Sequence, residues 1–165
     1  MKEKFSSRTL WREKMKRPEE PKMVDIPARM QKRFGMGKML IPTPMLLDEL
    51  IRKVPSKKLV TVGILREYLA DKFGAGTTCA LTTGIFLRIV AEAAQESLQD
   101  GERNITPYWR VVKSDGRLNP KFPGGSQAHA SMLEKEGHEI EASKTKKPPK
   151  VKDFQKSLID IKSFS

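Results

Sequence analysis

The stretch that most constrains the fold is residues 105–125, in which aromatic residues, prolines and glycines follow one another closely. Residues 108–112 are apolar and aromatic apart from one arginine, which predicts a short strand. Residues 114–116 (Ser-Asp-Gly) predict a tight turn, because aspartate bonds nearby backbone amides and glycine accepts a positive φ. Leu118 begins a return strand that nearby prolines keep short, and Gly124 with Gly125 lets the backbone approach another segment. The stretch therefore predicts a small β wing.

Three segments before this stretch have the apolar spacing of amphipathic helices. The first starts where the hydroxyl of Thr43 precedes a proline and runs through residues 45–54. Thr61 caps the second, which ends at residue 73 before Gly74. The third covers residues 82–98, with Ile85 among the residues of its apolar stripe. These boundaries predict three helices packed on one core.

A last helix is predicted after the wing, over residues 127–136, with Ser126 as its cap and Gly137 as its stop. A helix, a turn, a helix and a two-stranded wing together form a winged-helix arrangement. We therefore expect a mainly α fold with a small β wing, a winged-helix-like domain flanked by basic, partly extended arms. In such a fold the N-terminal part of the third helix lies nearest a nucleic acid, which makes Thr82, Thr83 and Arg88 candidate DNA contacts.

The net charge of +12 is concentrated at the two ends of the chain. Residues 1–40 contain 12 Lys and Arg against 5 Asp and Glu, and residues 142–165 contain 7 against 2, whereas residues 41–141 contain 13 of each. This pattern predicts a basic N-terminal arm (1–40), a neutral domain (41–141) and a basic C-terminal tail (142–165) whose end, with Phe154, Leu158, Ile159 and Ile161, forms a docking turn. Basic arms suit a grip on phosphates, and the alternative is that they only solubilise the chain.

The composition also bears on the compartment. One cysteine, Cys79, excludes an internal disulfide, no apolar run approaches the length of a membrane span, and the first residues lack the apolar core of an export signal. We expect a cytoplasmic protein that does not interact with membranes and is a monomer.

The stretch from Pro107 resembles the centre of the O6-alkylguanine-DNA alkyltransferase family, whose active site reads Pro-Cys-His-Arg-Val, then a Gly-x-Leu turn, an aromatic residue and Gly-Gly. The matching residues are Pro107, Arg110, Val111, Gly116, Leu118, Phe122, Gly124 and Gly125. Leu133, Glu136 and Gly137 are similar to the family's closing helix. Tyr108 stands in the place of the acceptor cysteine, and Trp109 stands in the place of its histidine.

These departures remove the reagents of alkyl transfer. The family reaction needs a thiolate, a histidine that accepts the thiol proton and a glutamate that orients this histidine, and only Glu136 remains. We therefore expect no enzymatic activity and no cofactor. Cys79 lies away from the motif, and we expect it to be structural. Glu136 is expected to pair locally, for instance with Arg110 or a backbone amide.

The resemblance implies a role like that of the alkyltransferase-like proteins, which lack the cysteine yet bind alkylated DNA and mark it for repair. Its base pocket would be lined by Pro107, Tyr108, Trp109, Arg110, Phe122, Pro123 and Gly124. The run from Leu81 to Gly84 lacks the family's intercalating arginine, and Val62 replaces a tyrosine that rotates the target phosphate. Both changes weigh against nucleotide flipping.

Two other interpretations stay open. The domain could bind RNA or undamaged duplex without flipping, or it could be a protein-interaction scaffold in which Tyr108 and Trp109 are core residues. A repair protein is the expected partner under the first interpretation. His129 and His138 lack neighbouring ligands at metal spacing, so we expect no zinc site.

Overall fold

The computed structural model describes residues 11–17, 19–160 and 164. Residues 11–15 form a helical turn. The helices that follow are α1 (Gln31–Phe34), α2 (Pro44–Arg52), α3 (Val62–Phe73), α4 (Ala80–Gln99) and α5 (Gly125–Lys135). The strands are β1 (Lys22–Asp25), β2 (Lys38–Ile41), β3 (Val60–Thr61), β4 (Thr77–Thr78), β5 (Val111–Val112), β6 (Ile140–Glu141) and β7 (Lys150–Val151). The expected mainly α class with small β elements is confirmed.

The predicted helix starts at Thr43 and Thr61 are confirmed. The hydroxyl of Thr43 accepts a hydrogen bond from the Leu46 amide at 3.2 Å, and that of Thr61 accepts one from the Ile64 amide at 3.1 Å. Each bond satisfies an amide that has no partner within its own helix. Gly74 ends α3 in the left-handed conformation, at φ 68°, as expected.

The other two helices begin earlier than predicted. Cys79 is the N-cap of α4, and its sulfur accepts from the amide and the hydroxyl of Thr82 at 3.5 and 3.1 Å. Helix α5 begins at Gly125 after Gly124, whose φ of 79° makes the turn, and no side chain caps it. The prediction that Ser126 caps this helix is therefore wrong.

The apolar stripe of α4 is also narrower than predicted. Ile89, Val90, Ala93 and Ala94 are buried, but Ile85 is 52% exposed and Leu81 is 74% exposed. The residues of α4 that join the main core meet those of α2 and α3, whereas Leu81 and Ile85 in its first turns are exposed.

The segment before residue 41 is not simply an extended arm. Strand β1 pairs antiparallel with β2, and β2 pairs parallel with β4, so that residues 22–41 are part of a three-stranded sheet. Because the paired strands are far apart in the sequence, no local pattern of residues predicts their pairing. The boundary at residue 40 stays a prediction, but the structure ties this segment to the domain.

The wing differs from its predicted form. Residues Tyr108–Arg110 form a 3₁₀ turn, and the strand that follows, β5, pairs parallel with β3. The tight turn at residues 114–116 is confirmed, with Gly116 at φ 84° and its amide donating to the Lys113 carbonyl at 2.7 Å. The return segment pairs with the C-terminal tail instead of with β5, since the Leu118 amide donates to the Pro149 carbonyl at 2.9 Å.

The C-terminal tail is likewise part of the fold rather than an extended arm. Strand β7 pairs antiparallel with β6, and Val151, Phe154, Ile159 and Phe164 are buried. The predicted docking turn is confirmed for Phe154 and Ile159, while Ile161 lies outside the described residues. In the part of the chain that the structure describes, no helix has both the length and the apolar character needed to cross a membrane.

Candidate nucleic-acid interface

The predicted base pocket is occupied by its own aromatic side chains. Tyr108 is 5% exposed and Phe122 is 3% exposed. The ring of Tyr108 packs edge to face against Trp109, with centroids 5.4 Å apart, and against Phe122 at 5.5 Å. Edge-to-face pairs of this kind are a stable way to fill a core. Tyr108 and Phe122 therefore do not offer free faces to a base in this conformation, and their role in a base pocket stays a prediction.

The remaining residues of the predicted pocket lie around this cluster in different environments. Pro107 is buried, Pro123 is half-buried, and Gly124 is exposed at the start of α5. A Cβ added at Gly124 would lie 2.5 Å from the Cβ of Ala128, so glycine is needed there for packing as well as for its φ. These residues turn the chain around the aromatic cluster.

Glu136 joins Trp109 and Arg110 in a dense network. Its carboxylate accepts from Arg110 Nη2 at 2.8 Å, from Arg110 Nε at 3.1 and 3.2 Å, and from Trp109 Nε1 at 3.0 Å. The amide of Lys57 adds a bond at 3.3 Å, and Arg110 Nη1 donates to the Val54 carbonyl at 2.7 Å. Burial raises the pKa of Glu136, but the hydrogen bonds from Arg110, Trp109 and Lys57 outweigh it and lower the pKa. The local pairing expected for Glu136 is confirmed.

His129 is a structural residue of α5 that bridges the wing segment and the motif. Its Nδ1 accepts from the Asn119 amide at 3.1 Å, so its Nε2 carries the hydrogen that is donated to the Trp109 carbonyl at 2.8 Å. Burial lowers the pKa of His129 to about 4. The residue is therefore neutral at physiological pH. Among the described residues, no group of three or more His, Cys, Asp or Glu side chains is placed to hold a metal ion.

The arrangement offers no activated nucleophile at the position of the motif. Burial, followed by the charge of Glu92, raises the pKa of the Tyr108 phenol, whose hydroxyl lies 3.5 Å from Gln95 Oε1. Raising this pKa disfavours the phenolate that a nucleophilic attack would require. Cys79 caps α4 and is not within the motif, as expected.

The three predicted DNA contacts have different positions. Thr83 is fully buried, and its hydroxyl donates to the Cys79 carbonyl at 2.7 Å, so it is not exposed for a DNA contact in this conformation. Thr82 is half-buried, with its hydroxyl on the Cys79 sulfur. Arg88 is exposed and faces an open groove. Helical spacing explains the difference, because Thr83 lies on the same side of α4 as the buried Leu87 and Val90.

An open groove of about 600 Å³ lies beside the first half of α4. Its wall is formed by the first half of α4, the helical turn at residues 11–15, and the wing segment between residues 113 and 121. Four cationic side chains line it, and no carboxylate is found among its described lining residues. These cations are Lys14, Arg88, Lys113 and Lys121. We call it the cationic groove.

The groove also has apolar and aromatic parts. Leu81 and Ile85, four residues apart on α4, are the exposed aliphatic side chains along it. Trp11 closes one side, with Lys14 Nζ 4.7 Å and the Arg88 guanidinium carbon 5.4 Å from its ring centroid. A cation near an aromatic face is attracted by the ring electrons. Trp11, Lys113 and Lys121 were not predicted as site residues, and no local motif marks them.

No family model matches the chain, and no curated protein matches it. A solved structure to which the chain is similar is that of S. pombe Atl1 in complex with damaged DNA containing O6-carboxymethylguanine. The two share 19% sequence identity with a TM-score of 0.47, and the match covers 71% of this chain and 94% of that chain.

Proposed function

We propose that the chain is a non-enzymatic, alkyltransferase-like DNA-binding protein that contacts the duplex through the cationic groove. The observation that carries this proposal is the groove's charge, with four Lys and Arg side chains and no carboxylate among the described residues that line it. Each cation that meets a phosphate releases a condensed counterion, which supplies affinity that does not depend on sequence.

The aliphatic side chains supply the second part of the proposal. Leu81 is 74% exposed at the N-terminal end of α4, with Ile85 one turn further along. Proteins that bind the minor groove use exposed aliphatic side chains to contact bases and to open base steps. We therefore assign the base contact to Leu81 and Ile85, and the phosphate contacts to the surrounding cations.

The packing of the motif supports this choice over the aromatic pocket. A base that stacked between Tyr108 and Phe122 would first have to separate two rings packed edge to face in the core. The cationic groove needs no such rearrangement. We place an alkylated base, where the protein recognises one, in or beside this groove. The alternative is that the groove binds a duplex without flipping a nucleotide.

The direct test is fluorescence anisotropy of labelled duplexes, with and without one O6-methylguanine, over a salt series. If four cations contact phosphates, a plot of the logarithm of the association constant against the logarithm of the salt concentration should have a slope of about −3 to −4. Lys121→Gln should reduce this slope by about one, because it removes one phosphate contact. Lys135→Gln, at the end of α5 and outside the groove lining, is the matched control and should leave the slope unchanged.

The outcomes separate the alternatives. Tighter binding of the lesion duplex supports recognition of alkylated bases, whereas equal binding with the expected slope supports a general duplex binder. Leu81→Ala should weaken binding while leaving the salt slope unchanged, because it removes an uncharged contact. Absence of binding at physiological salt would refute DNA binding and favour the protein-interaction scaffold.

A further inference from the structure

A second cavity lies beside the wing turn, and the proposed function does not use it. It has a volume of about 500 Å³ and is bounded by the end of α1, by α3 and by β4. Arg33 and Arg66 both line it, and Ser114 of the wing turn lines both this cavity and the cationic groove. We call it the Arg33–Arg66 cleft.

The guanidinium of Arg66 is held in a fixed orientation. Its Nε donates to the Thr78 carbonyl at 2.9 Å and its Nη2 lies 3.4 Å from the Thr77 hydroxyl, while the Thr78 hydroxyl donates back to the Arg66 carbonyl at 2.8 Å. No bond from Nη1 to a described residue accompanies these contacts. Among the described side chains, Nη1 of Arg66 is not a buried donor without a partner, so it is accessible to solvent and to a ligand.

Arg33 brings a second positive charge to the same cavity. It is exposed, with its guanidinium carbon 5.2 Å from the ring centroid of Phe34. Burial is the main cause that lowers the pKa of Arg66, and the charge of Arg33 also lowers this pKa, whereas Cys79 and Glu67 oppose the shift. Among the described residues, neither arginine forms an ion pair with a carboxylate within 4 Å. Two guanidinium groups that repel each other across a cavity leave a place for an anion.

Two carboxylates also line the cleft. Glu67 and Asp71 contribute them, and both residues are exposed on α3. Water screens an exposed carboxylate, so its repulsion of an anion near Arg66 is weak. Hydroxyl groups from Thr77 and Ser114 line the cleft as well and can donate hydrogen bonds to an anion.

We propose that the Arg33–Arg66 cleft binds a phosphate group, held by the two guanidinium groups and by the Ser114 hydroxyl. Guanidinium groups are suited to this role because their planar donors match the oxygens of a phosphate. The phosphate has two sources that share this chemistry. It is either a backbone phosphate of a duplex in the neighbouring cationic groove, in which case the inference rests on the proposed function, or free phosphate.

The first experiment titrates the full chain with inorganic phosphate by isothermal calorimetry, with sodium chloride at equal ionic strength as the reference. Saturable binding is expected, and Arg33→Gln should weaken it at least fivefold. Arg29→Gln is the matched control, because Arg29 is an exposed arginine on the neighbouring 3₁₀ turn that does not line the cleft. Arg66→Lys should also weaken binding, since lysine keeps the charge but loses the planar donors.

Phosphate that binds no better than chloride, or an Arg33→Gln variant that binds as tightly as Arg29→Gln, would refute a phosphate site in the cleft. Circular dichroism of each variant shows whether it is folded. Because Arg33 is exposed and its only described contact is with Phe34, its replacement should leave the fold intact.

The duplex assay then identifies the source. If a backbone phosphate occupies the cleft, Arg33→Gln lowers the magnitude of the salt slope of duplex binding by about 0.9, and Arg29→Gln leaves it unchanged. An unchanged slope together with weakened phosphate binding identifies free phosphate as the source. If the chain binds no duplex at all, the proposed function fails, while the phosphate titration still decides whether the cleft is an anion site.

Discussion

Replacing Glu136 with glutamine tests whether the network around the former reaction motif now stabilises the fold. The side chains of Glu136 and Arg110 are only 13% and 15% exposed, and they share three hydrogen bonds of 2.8 to 3.2 Å. Removing one partner of a buried ion pair costs roughly 3–5 kcal/mol, because the other charge is left without compensation. Glutamine keeps one acceptor oxygen, so we expect a loss of about 3 kcal/mol in the free energy of unfolding.

Urea unfolding followed by tryptophan fluorescence measures this loss, since Trp109 is bonded to the replaced carboxylate. With a denaturant slope of roughly 1–3 kcal/mol per molar, the midpoint should fall by about 1 to 3 M. Glu134→Gln, at an exposed position on α5, is the control and should change stability by less than about 0.5 kcal/mol.

A double variant separates the charge from the packing. Arg110→Met with Glu136→Leu removes both charges, and an apolar pair in place of a buried ion pair is often neutral or stabilising. We expect it to recover most of the loss. The reasoning is refuted if Glu136→Gln costs less than about 1 kcal/mol, or if the double variant is no more stable than the single one.

The pH dependence gives an independent check. Because the folded pKa of Glu136 is lowered, its stabilisation is complete above the ordinary carboxyl pKa of about 4.3 and is lost as the pH falls through the folded pKa. The difference in stability between the wild type and Glu136→Gln should therefore be constant near neutral pH and shrink only below about pH 4.

Three further predictions concern stability. Burial lowers the pKa of His129 from about 6.5 in the unfolded chain to about 4 in the fold. The free energy of unfolding, measured with urea, should therefore fall by about 3 kcal/mol as the pH decreases from about 6.5 towards 4. His129→Gln should show a smaller dependence of this free energy on pH. Gly116→Ala should lower the melting temperature strongly, since its Cβ would lie 2.3 Å from a Phe154 ring carbon, whereas Gly137→Ala, with no atom within 4 Å, should cost only about 1 kcal/mol for its positive φ. Both carboxylate oxygens of Glu96 are buried without a hydrogen-bond partner in the described part of the chain, so Glu96→Gln should raise the melting temperature at pH 7, and a decrease would contradict this.

The amino-acid sequence determined the features that depend on neighbouring residues. Threonine caps fix the starts of α2 and α3, and Gly74 and Gly116 mark the places where the chain needs a positive φ. Each of these signals acts within about four residues, where the possible conformations are few. The expected local pairing of Glu136, with Arg110 or a backbone amide, is likewise found, since Glu136 bonds both Arg110 and the Lys57 amide.

Tertiary packing decided where each element faces and what it pairs with. Tyr108 was predicted in a strand, but a 3₁₀ turn directs its ring into the core, and the tail takes the place of the wing's predicted partner strand. Ile85 fits the apolar stripe of α4 by its spacing, yet it is 52% exposed because no element among the described residues covers its side chain.

The cationic groove is the clearest example of a feature that the sequence alone does not predict. Its walls come from Trp11, from α4 and from Lys121, which are separated by many tens of residues and carry no common motif. A local pattern states which residues are apolar or charged, but only long-range packing brings them to one surface. The physical reason is that burial depends on the whole chain, whereas caps and turns depend on a few adjacent peptide units.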